Sequence, residues 1–261
     1  MLKDADRYEF FVEDAEADSV VAYVRIPRRV VRRANEVRYT VNALPAEPVL
    51  PDVGARLKAA VEALDKKRDS LDVIIVQLAT LFKQGRVVPM STRKGEYITL
   101  RQVLDEVGAD SARFFFLMRK TDSHLDFDLE LAKRQSSENP VYYVQYGHAR
   151  ICNILANTTF SQAEAEKADL GLLKEKEELD LLRILEKFEH TLKIAEIQLD
   201  PYCLTNYLQE AAEGFHRFYD IHRVLVEDER LKNARLSLVL GTKIIFASGL
   251  KLLGVKAPEK M

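Results

Sequence analysis

Aromatic, cationic and amide side chains recur at helical spacing between Asn139 and Asn157. This is the stretch of the sequence that is richest in side chains able to bind a ligand. Asn139-Pro140 places a helix-capping residue before a proline at the first helical position, so we predict that a helix begins here. At about 100° per residue, its apolar and polar residues lie on opposite faces. The apolar face comprises Val141, Val144, His148, Ile151, Cys152 and Leu155, and the polar face comprises Tyr143, Tyr146, Arg150, Asn153 and Asn157.

The polar face of this helix has the composition that recognition of single-stranded RNA requires. Tyrosine rings stack on nucleobases, and an arginine binds a phosphate or lies against a base. The alternative interpretation is that the tyrosines pack beneath another helix or domain. Spacing alone leaves both interpretations open.

A second candidate RNA contact is a basic run near the N-terminus. Six arginines against one glutamate between residues 25 and 38 give this stretch a charge of +5. The central arginines, Arg28, Arg29, Arg32 and Arg33, are suited to binding an RNA backbone with release of counterions. An ordinary amphipathic β-unit with a solvated basic edge explains the same pattern.

Other chemistry has weaker support in the sequence. His148, Cys152 and Cys203 are candidate metal ligands, but the first two lie on the apolar face, so we expect packed core residues and no metal site. The acidic run at residues 175–178 is interpreted as a solvated helix start. No Gly-x-Gly sequence occurs, which excludes a Rossmann fingerprint and a glycine-rich phosphate loop.

Composition limits the class of protein. The 261 residues include 39 Lys plus Arg and 41 Asp plus Glu, a net charge of −2, which argues against a protein that coats nucleic acid with its whole surface. Hydrophobic residues make up 47% of the chain, so wholesale disorder is excluded. No apolar run approaches a membrane span and no secretory signal is present. We expect a cytoplasmic protein that contacts neither membrane nor DNA.

The residue patterns divide the chain into three segments. Residues 1–53 contain aromatic and β-branched runs typical of strands, residues 54–138 mix helix and strand patterns, and residues 139–261 are almost entirely helical. Four long helices with short connections, one of them carrying an apolar stripe over residues 181–195, predict an antiparallel bundle. The predicted fold class is mainly α, with a small α/β part and a β-rich N-terminal segment before the bundle.

Several stretches carry a resemblance to a known family. Asp122–Leu129 (DSHLDFDL) and Asn139–Arg150 (NPVYYVQYGHAR) closely resemble arginyl-tRNA synthetase. Met90–Leu100 (MSTRKGEYITL) is similar to the family's form of the class I signature loop, Lys-Met-Ser-Lys-Ser. Phe215–Tyr219 and Ala257–Met261 also resemble that family, and the match runs from about residue 55 to the end.

The resemblance implies an enzyme that couples ATP, arginine and the tRNA for arginine by adenylation and transfer. It implies that residues 139–261 form the helical anticodon-binding domain and that residues 54–138 contain the end of the class I nucleotide fold. In the signature loop, the implied catalytic cations are Arg93 and Lys94, and Met90, Ser91, Thr92 and Gly95 surround the phosphates of ATP, which binds with Mg²⁺. The implied tRNA-binding residues are Tyr143, Tyr146, Arg150, Asn153, Tyr219 and Met261.

The sequence departs from the family in two places. The two lysines of the signature loop fall at Pro89 and Thr92, and no His-Ile-Gly-His motif occurs. We therefore expect most of the arginine and ATP pocket to lie outside this chain, in a separate catalytic half. The leading hypothesis is a C-terminal part of an arginine–tRNA ligase that binds tRNA without catalysis. The alternatives are a non-catalytic helical module that binds a protein and a divergent complete synthetase.

Overall fold

The computed structural model describes residues 3–4, 7–14, 19–27, 42–43, 62, 79–88, 98–120 and 123–261. The chain divides into two compact units. The first comprises Met1–Ala79 with Thr121–Leu125, and the second comprises Thr80–Lys120 with Asp126–Met261. The three segments with boundaries near residues 53 and 138 stay a prediction.

The first unit contains a four-stranded antiparallel sheet in the order β1-β2-β3-β4. Its strands are β1 (Lys3–Asp4), β2 (Arg7–Asp14), β3 (Ser19–Pro27) and β4 (Asn42–Ala43). β2 and β3 pair from Arg7 opposite Pro27 to Asp14 opposite Ser19. These two strands coincide with the aromatic and β-branched runs, so the predicted β-rich N-terminal segment is confirmed.

A three-stranded sheet in the order β6-β5-β7 and three short helices precede the bundle. The elements are β5 (Ala79–Lys83), β6 (Arg86–Val87), α1 (Leu100–Val107), α2 (Ala109–Leu117), β7 (Leu125–Asp128) and α3 (Leu129–Lys133). Gln84 and Gly85 join β5 to β6 with positive φ angles of 52° and 72°, as a tight hairpin requires. A capping box between Thr99 and Gln102 begins α1. The predicted small α/β part is confirmed.

The remaining residues form the helical bundle. Its helices are α4 (Pro140–Ala156), α5 (Gln162–Ala165), α6 (Lys176–Glu186), α7 (Phe188–Gln198), α8 (Tyr202–Ile221) and α9 (Glu229–Leu252). α8 is central and contacts α2, α4, α6, α7 and α9. The stripe predicted over residues 181–195 is divided, because α6 ends at Glu186 and α7 begins at Phe188. The described part of the chain therefore has five long bundle helices where four were predicted. None of the described helices has the length and apolarity of a membrane span.

Phenylalanines of α8 and α9 fill the centre of the bundle. Phe215, Phe218 and Phe246 are fully buried, and Phe215 meets Phe246 edge to face with ring centroids 6.2 Å apart. A Cβ at Gly249 of α9 would lie only 2.7 Å from Leu208 of α8, so the glycine lets these helices approach closely. This packing fixes the faces that α4, α8 and α9 present to one another.

The start of α6 differs from the sequence interpretation. Glu178 belongs to the acidic run that was expected to be solvated, but its side chain is 0% exposed. Its Oε1 accepts from Arg235 Nε of α9 at 2.7 Å, and its Oε2 accepts from the backbone N–H of Glu175 at 3.0 Å. The interpretation is wrong for Glu178, because a cation 57 residues away supplies a buried partner.

Candidate nucleic-acid interface

The α4 helix carries most of the candidate site, and its start is fixed by several contacts. The side-chain oxygen of Asn139 accepts from the backbone N–H of Tyr142 at 3.4 Å, and Pro140 occupies the first helical position. The same side chain is buried, and its Nδ2 donates to the carbonyl oxygens of Ala132 and Arg134 at 3.1 and 2.8 Å. The predicted helix start is confirmed, and these bonds tie it to the end of α3.

The apolar face of α4 is buried, as predicted, except for Leu155, which is half-buried near the end of the helix. Val144 and Ile151 are both 0% exposed, and His148 and Cys152 are buried beside them. His148 Nδ1 donates to the carbonyl oxygen of Pro258 at 2.8 Å, which explains how a polar ring is accommodated in the core. His148 and Cys152 are therefore packed core residues, and within the described ranges no three metal-ligating side chains form a suitable group.

The polar face of α4 lies against α8 and is only partly open to solvent. Arg150 places its guanidinium over two rings, with Cζ 4.9 Å from the ring centroid of Tyr146 and 4.6 Å from that of Tyr219. Its Nη2 also donates to the hydroxyl of Tyr146 at 3.1 Å. The Arg150 side chain keeps 27% exposure, so it is held in place and still accessible to a ligand.

Further rings extend this arrangement on both helices. Tyr142 stacks on Tyr146 with centroids 6.0 Å apart and an interplanar angle of 6°. His216 of α8 lies 4.4 Å from the ring of Tyr143 and 5.9 Å from that of Tyr146. The aromatic–arginine cluster is defined as Tyr142, Tyr143, Tyr146, Arg150, His216 and Tyr219.

His216 is the most deeply buried member of the aromatic–arginine cluster, at 6% exposure. Its Nδ1 lies 3.4 Å from Arg150 Nη1, and its Nε2 lies 3.4 Å from the carbonyl oxygen of Tyr143. Burial lowers the pKa of His216 and Arg150 adds to that effect, whereas the Tyr143 carbonyl and Asp220 oppose it. The ring is therefore neutral at neutral pH.

Charges of both signs border the cluster. Asp220 Oδ1 is 3.7 Å from Arg150 Nη1, but the Asp220 side chain is 70% exposed, so this ion pair is weak. Burial raises the pKa of the Tyr143 hydroxyl; Glu213 and Asp220 act in the same direction, and Arg150 and Arg217 oppose them. Tyr143 therefore keeps its proton. Arg217 donates to Glu213 at 2.8 Å on the surface of α8.

Two predicted tRNA-binding residues stand outside the cluster. Asn153 is exposed one helical turn beyond Arg150. Met261 is 53% exposed at the end of a tail that follows α9. This tail is fixed to α4 where Gln145 Nε2 donates to the carbonyl oxygen of Lys256 at 2.8 Å. The structure thus brings Tyr143, Tyr146, Arg150 and Tyr219 together and places Asn153 and Met261 on exposed surface.

The remaining predicted site residues lie outside the described residues. They are Arg28, Arg29, Arg32 and Arg33 of the basic run and Met90, Ser91, Thr92, Arg93, Lys94 and Gly95 of the signature loop. Their roles stay predictions.

Two members of the cluster, Tyr142 and His216, were missed by sequence reasoning. Spacing contains a signal for both: Tyr142 precedes Tyr146 by four residues, and His216 precedes Tyr219 by three, so each pair shares a helix face. The missing information was that the pair on α8 faces the pair on α4.

A polar cleft of about 680 Å³ opens where α4 ends. Residues 156–160 form one side, and Leu225, Glu229 and Lys232 contribute to the other. Glu229 and Lys232 pair with each other at 2.6 Å. At a helical rise of about 1.5 Å per residue, the cleft begins about 10 Å beyond Arg150 along α4.

The bundle and its cluster agree with a known class of domain. Residues 144–261 match the DALR anticodon binding domain. These residues contain most of α4, all of α5 to α9, and the cluster members from Tyr146 onward. The helical part of the chain is therefore similar to a DALR anticodon binding domain over these residues.

The curated relatives are enzymes of one kind. The chain is 45% identical over 210 residues to the arginine–tRNA ligase of Thioalkalivibrio sulfidiphilus and 49% identical over 211 residues to that of Oleidesulfovibrio alaskensis. Each match covers 79% of this chain but only 36% and 38% of those relatives, so the chain spans less than two fifths of their length. The resemblance to arginyl-tRNA synthetases is confirmed, and over the matched residues this chain is their homologue.

Solved structures agree with this assignment. An arginyl-tRNA synthetase from Campylobacter jejuni superimposes with a TM-score of 0.75 at 28% identity, covering 89% of this chain and 49% of that one. The Thermus thermophilus arginyl-tRNA synthetase superimposes with a TM-score of 0.66 at 21% identity over 98% of this chain and 46% of that one, which shows the fold alone. The predicted fold class is confirmed.

Proposed function

We propose that this chain binds the tRNA for arginine, as the C-terminal part of an arginine–tRNA ligase, and that anticodon nucleotides bind at the aromatic–arginine cluster. The observation that carries the proposal is Arg150, which lies over the rings of both Tyr146 and Tyr219 while 27% of its side chain stays exposed. The DALR match and the ligase homologues support the same function.

The chemistry of the cluster suits unpaired RNA bases. Bases that are splayed out of a loop stack on aromatic rings and on guanidinium planes. Tyr146 and Tyr219 are held by their contacts with Arg150, so little side-chain freedom is lost when a base binds. The carboxylate nearest to Arg150 belongs to the exposed Asp220, at 3.7 Å, and a phosphate can replace so weak a partner.

The surface beyond the cluster offers a path for the neighbouring nucleotides. Asn153 is exposed one turn beyond Arg150, where an amide can donate to or accept from a base edge. The polar cleft at the end of α4 follows, and Lys232 in its wall can exchange its ion pair with the exposed Glu229 for a phosphate. We therefore place the RNA along α4, from the cluster towards the cleft.

Arginine activation, in contrast, is proposed to require a catalytic half that this chain does not supply. The chain has no His-Ile-Gly-His motif, and Pro89 and Thr92 replace the two signature lysines. In a complete ligase Arg93 and Lys94 would contact the phosphates of ATP, which binds there with Mg²⁺. Loss of preorganised donors at a reacting phosphate costs several kcal/mol of transition-state stabilisation, about a thousandfold or more in rate.

Binding of tRNA transcripts tests the first part of the proposal. We expect the full chain to bind a transcript of an arginine tRNA more tightly than the same transcript with an exchanged anticodon. Tyr219→Ala should weaken binding about tenfold, since base–aromatic stacking contributes about 1–3 kcal/mol.

Tyr202→Ala is the matched control for Tyr219→Ala. Tyr202 is the same residue type at the other end of α8, about 26 Å away at 1.5 Å per residue, and its substitution should leave the affinity unchanged. Equal binding of both transcripts, or no binding, would favour the helical module that binds a protein instead.

Arginine-dependent exchange of pyrophosphate into ATP tests the second part of the proposal. We expect no exchange above background with this chain alone, with or without tRNA. Exchange at the rate of a complete synthetase would favour the alternative of a divergent complete enzyme.

A further inference from the structure

We propose that His216, as a neutral ring with its proton on Nε2, positions Arg150 for RNA, so that acid weakens RNA binding by this chain. The inference rests on the proposed function, because it concerns regulation of the same site. His216 is a positioning residue: it acts through Arg150.

The proton assignment follows from the two neighbours of the ring. A guanidinium has donors and no acceptor, so the 3.4 Å contact between Arg150 Nη1 and His216 Nδ1 requires an unprotonated Nδ1. The proton of the neutral ring is then on Nε2, which donates to the carbonyl oxygen of Tyr143 at 3.4 Å. His216 thereby links the backbone of α4 at Tyr143 to a guanidinium that lies about two helical turns further along the same helix.

Stacking and burial hold the ring in this position. Tyr143 and Tyr146 lie 4.4 and 5.9 Å from the His216 ring, and only 6% of the residue is exposed. A Cβ at Gly147 would lie 3.4 Å from His216 Nε2, so the absence of a side chain there makes room for the ring. Water therefore has little access to replace the contact with Arg150.

A second proton would convert this contact into a repulsion. Protonated Nδ1 cannot accept a hydrogen bond, and two cations would then face each other at 3.4 Å with little solvent between them. From α4 the titratable or charged neighbours of the ring are Tyr143, Tyr146 and Arg150, and from α8 the charge that acts on the ring is Asp220, while Glu213 and Arg217 of α8 act on the adjacent Tyr143 hydroxyl. The facing carboxylate, Asp220, is 70% exposed and is a weak counterion.

The direction of the pKa shift agrees with this geometry. Burial and Arg150 together lower the pKa of His216 below its usual 6.5, although the Tyr143 carbonyl and Asp220 act against them. RNA affinity is therefore complete above pH 6.5 and falls as the pH drops through the lowered pKa. This direction is opposite to the usual one, because acid ordinarily adds positive charge and strengthens binding to RNA.

The test is the pH dependence of the dissociation constant for a transcript of an arginine tRNA, measured with the full chain between pH 5.0 and 8.0. We expect the affinity of the wild-type chain to fall as the pH drops from 8.0 to 5.0, by up to about tenfold when His216 is fully protonated, because a hydrogen bond to a charged group is then lost. His216→Gln retains one acceptor and one donor and does not titrate in this range, so its affinity should be nearly independent of pH.

His190→Gln is the matched control variant, because His190 is an exposed histidine on α7. Its pH profile should match that of the wild-type chain. A His216→Gln profile that falls as steeply as the wild-type one would overturn the inference.

Nitrogen-15 NMR of the wild-type imidazole groups tests the inference without any variant. We expect the His216 signals to show an unprotonated Nδ1 at pH 7.5 and to titrate together with an Arg150 side-chain signal. A proton on Nδ1 at pH 7.5, or RNA binding by the wild-type chain that strengthens in acid, would overturn the inference and leave the proposed function standing. Absence of wild-type binding at pH 8.0 would overturn both.

Discussion

Arg235 and Arg150 belong to the same bundle, but Arg235 is buried in an ion pair and Arg150 lies over the rings of two half-buried tyrosines. Arg235 Nε donates to Glu178 at 2.7 Å and its Nη1 to the carbonyl oxygen of Arg223 at 2.8 Å, and the paired side chains are 9% and 0% exposed. Arg150 is 27% exposed, and its acidic neighbour lies 3.7 Å away.

The two guanidinium groups differ in how accessible they are to a ligand. Arg235 is desolvated and directs its donors to groups of the protein, so its contacts stabilise the fold and hold the connection between α8 and α9. Arg150 is oriented by the rings of Tyr146 and Tyr219 and by its contact with His216, and 27% of its side chain stays exposed to a ligand. A half-exposed arginine fixed by stacking is therefore a better candidate for RNA binding than a buried one fixed by a carboxylate.

Breaking the buried pair should have the largest effect on stability. Glu178→Ala leaves Arg235 buried without its counter-charge, so we expect the free energy of unfolding to fall by about 3–5 kcal/mol in urea titrations. Glu210→Ala is the control: Glu210 pairs with Lys187 at 2.9 Å and is 50% exposed, and its loss should cost less than about 1 kcal/mol. Equal losses for both variants would mean that the buried Glu178–Arg235 pair stabilises the fold no more than the exposed Glu210–Lys187 pair.

A cavity on the apolar face of α4 should lower stability and leave RNA affinity intact. Val144 is 0% exposed, so Val144→Ala should reduce the free energy of unfolding by about 2 kcal/mol and lower the melting temperature. Titration of the folded variant with the arginine tRNA transcript should give the wild-type dissociation constant. A specific loss of affinity at unchanged melting temperature would mean that the two faces of α4 are not separate in function.

The polar face should show the reverse pattern. Tyr146→Ala removes a ring that stacks on Tyr142 and Arg150, and we expect about tenfold weaker binding of the arginine tRNA with unchanged helix content. Tyr146→Phe should cost less, because the ring stays and only the hydroxyl that accepts from Arg150 is lost. If both variants lowered stability and left affinity alone, this face would be internal packing.

The smallest expected effect belongs to a conservative change of the stacked cation. Arg150→Lys keeps the charge but loses the planar group that lies over the rings of Tyr146 and Tyr219, so we expect about threefold weaker tRNA binding. Arg183→Lys on α6, where the side chain is 68% exposed, is the matched control and should bind like the wild-type chain. An affinity for Arg150→Lys that equals the control would show that charge alone suffices.

Features that depend on neighbours in sequence could be predicted. The start of α4 follows from Asn139-Pro140, and the burial of Val144 and Ile151 follows from helical spacing. The two long strands of the first unit also followed from their residue types. Tyr143, Tyr146, Arg150 and Tyr219 could be named as candidate site residues, although Tyr219 was found by its resemblance to a family and not by its spacing.

Features that depend on distant residues could not be predicted. The sequence suggested one helical stripe over residues 181–195, but the helix is interrupted at Lys187, where α6 ends and α7 begins. It suggested a solvated helix start at Glu178, which is instead buried against Arg235. It left open whether the polar face of α4 binds RNA or packs beneath another helix, and in the structure His216 of α8 lies against that face.

The sequence by itself determined that α4 forms and that aromatic and arginine side chains share one of its faces, because a helix of fixed period converts spacing into a surface. Only the tertiary structure decided what that surface meets. Arg150 and His216 are 66 residues apart, and Glu178 and Arg235 are 57 apart. Such pairs depend on how helices pack around Phe215 and Phe246, and a pattern along one helix carries no information about the helix it will face.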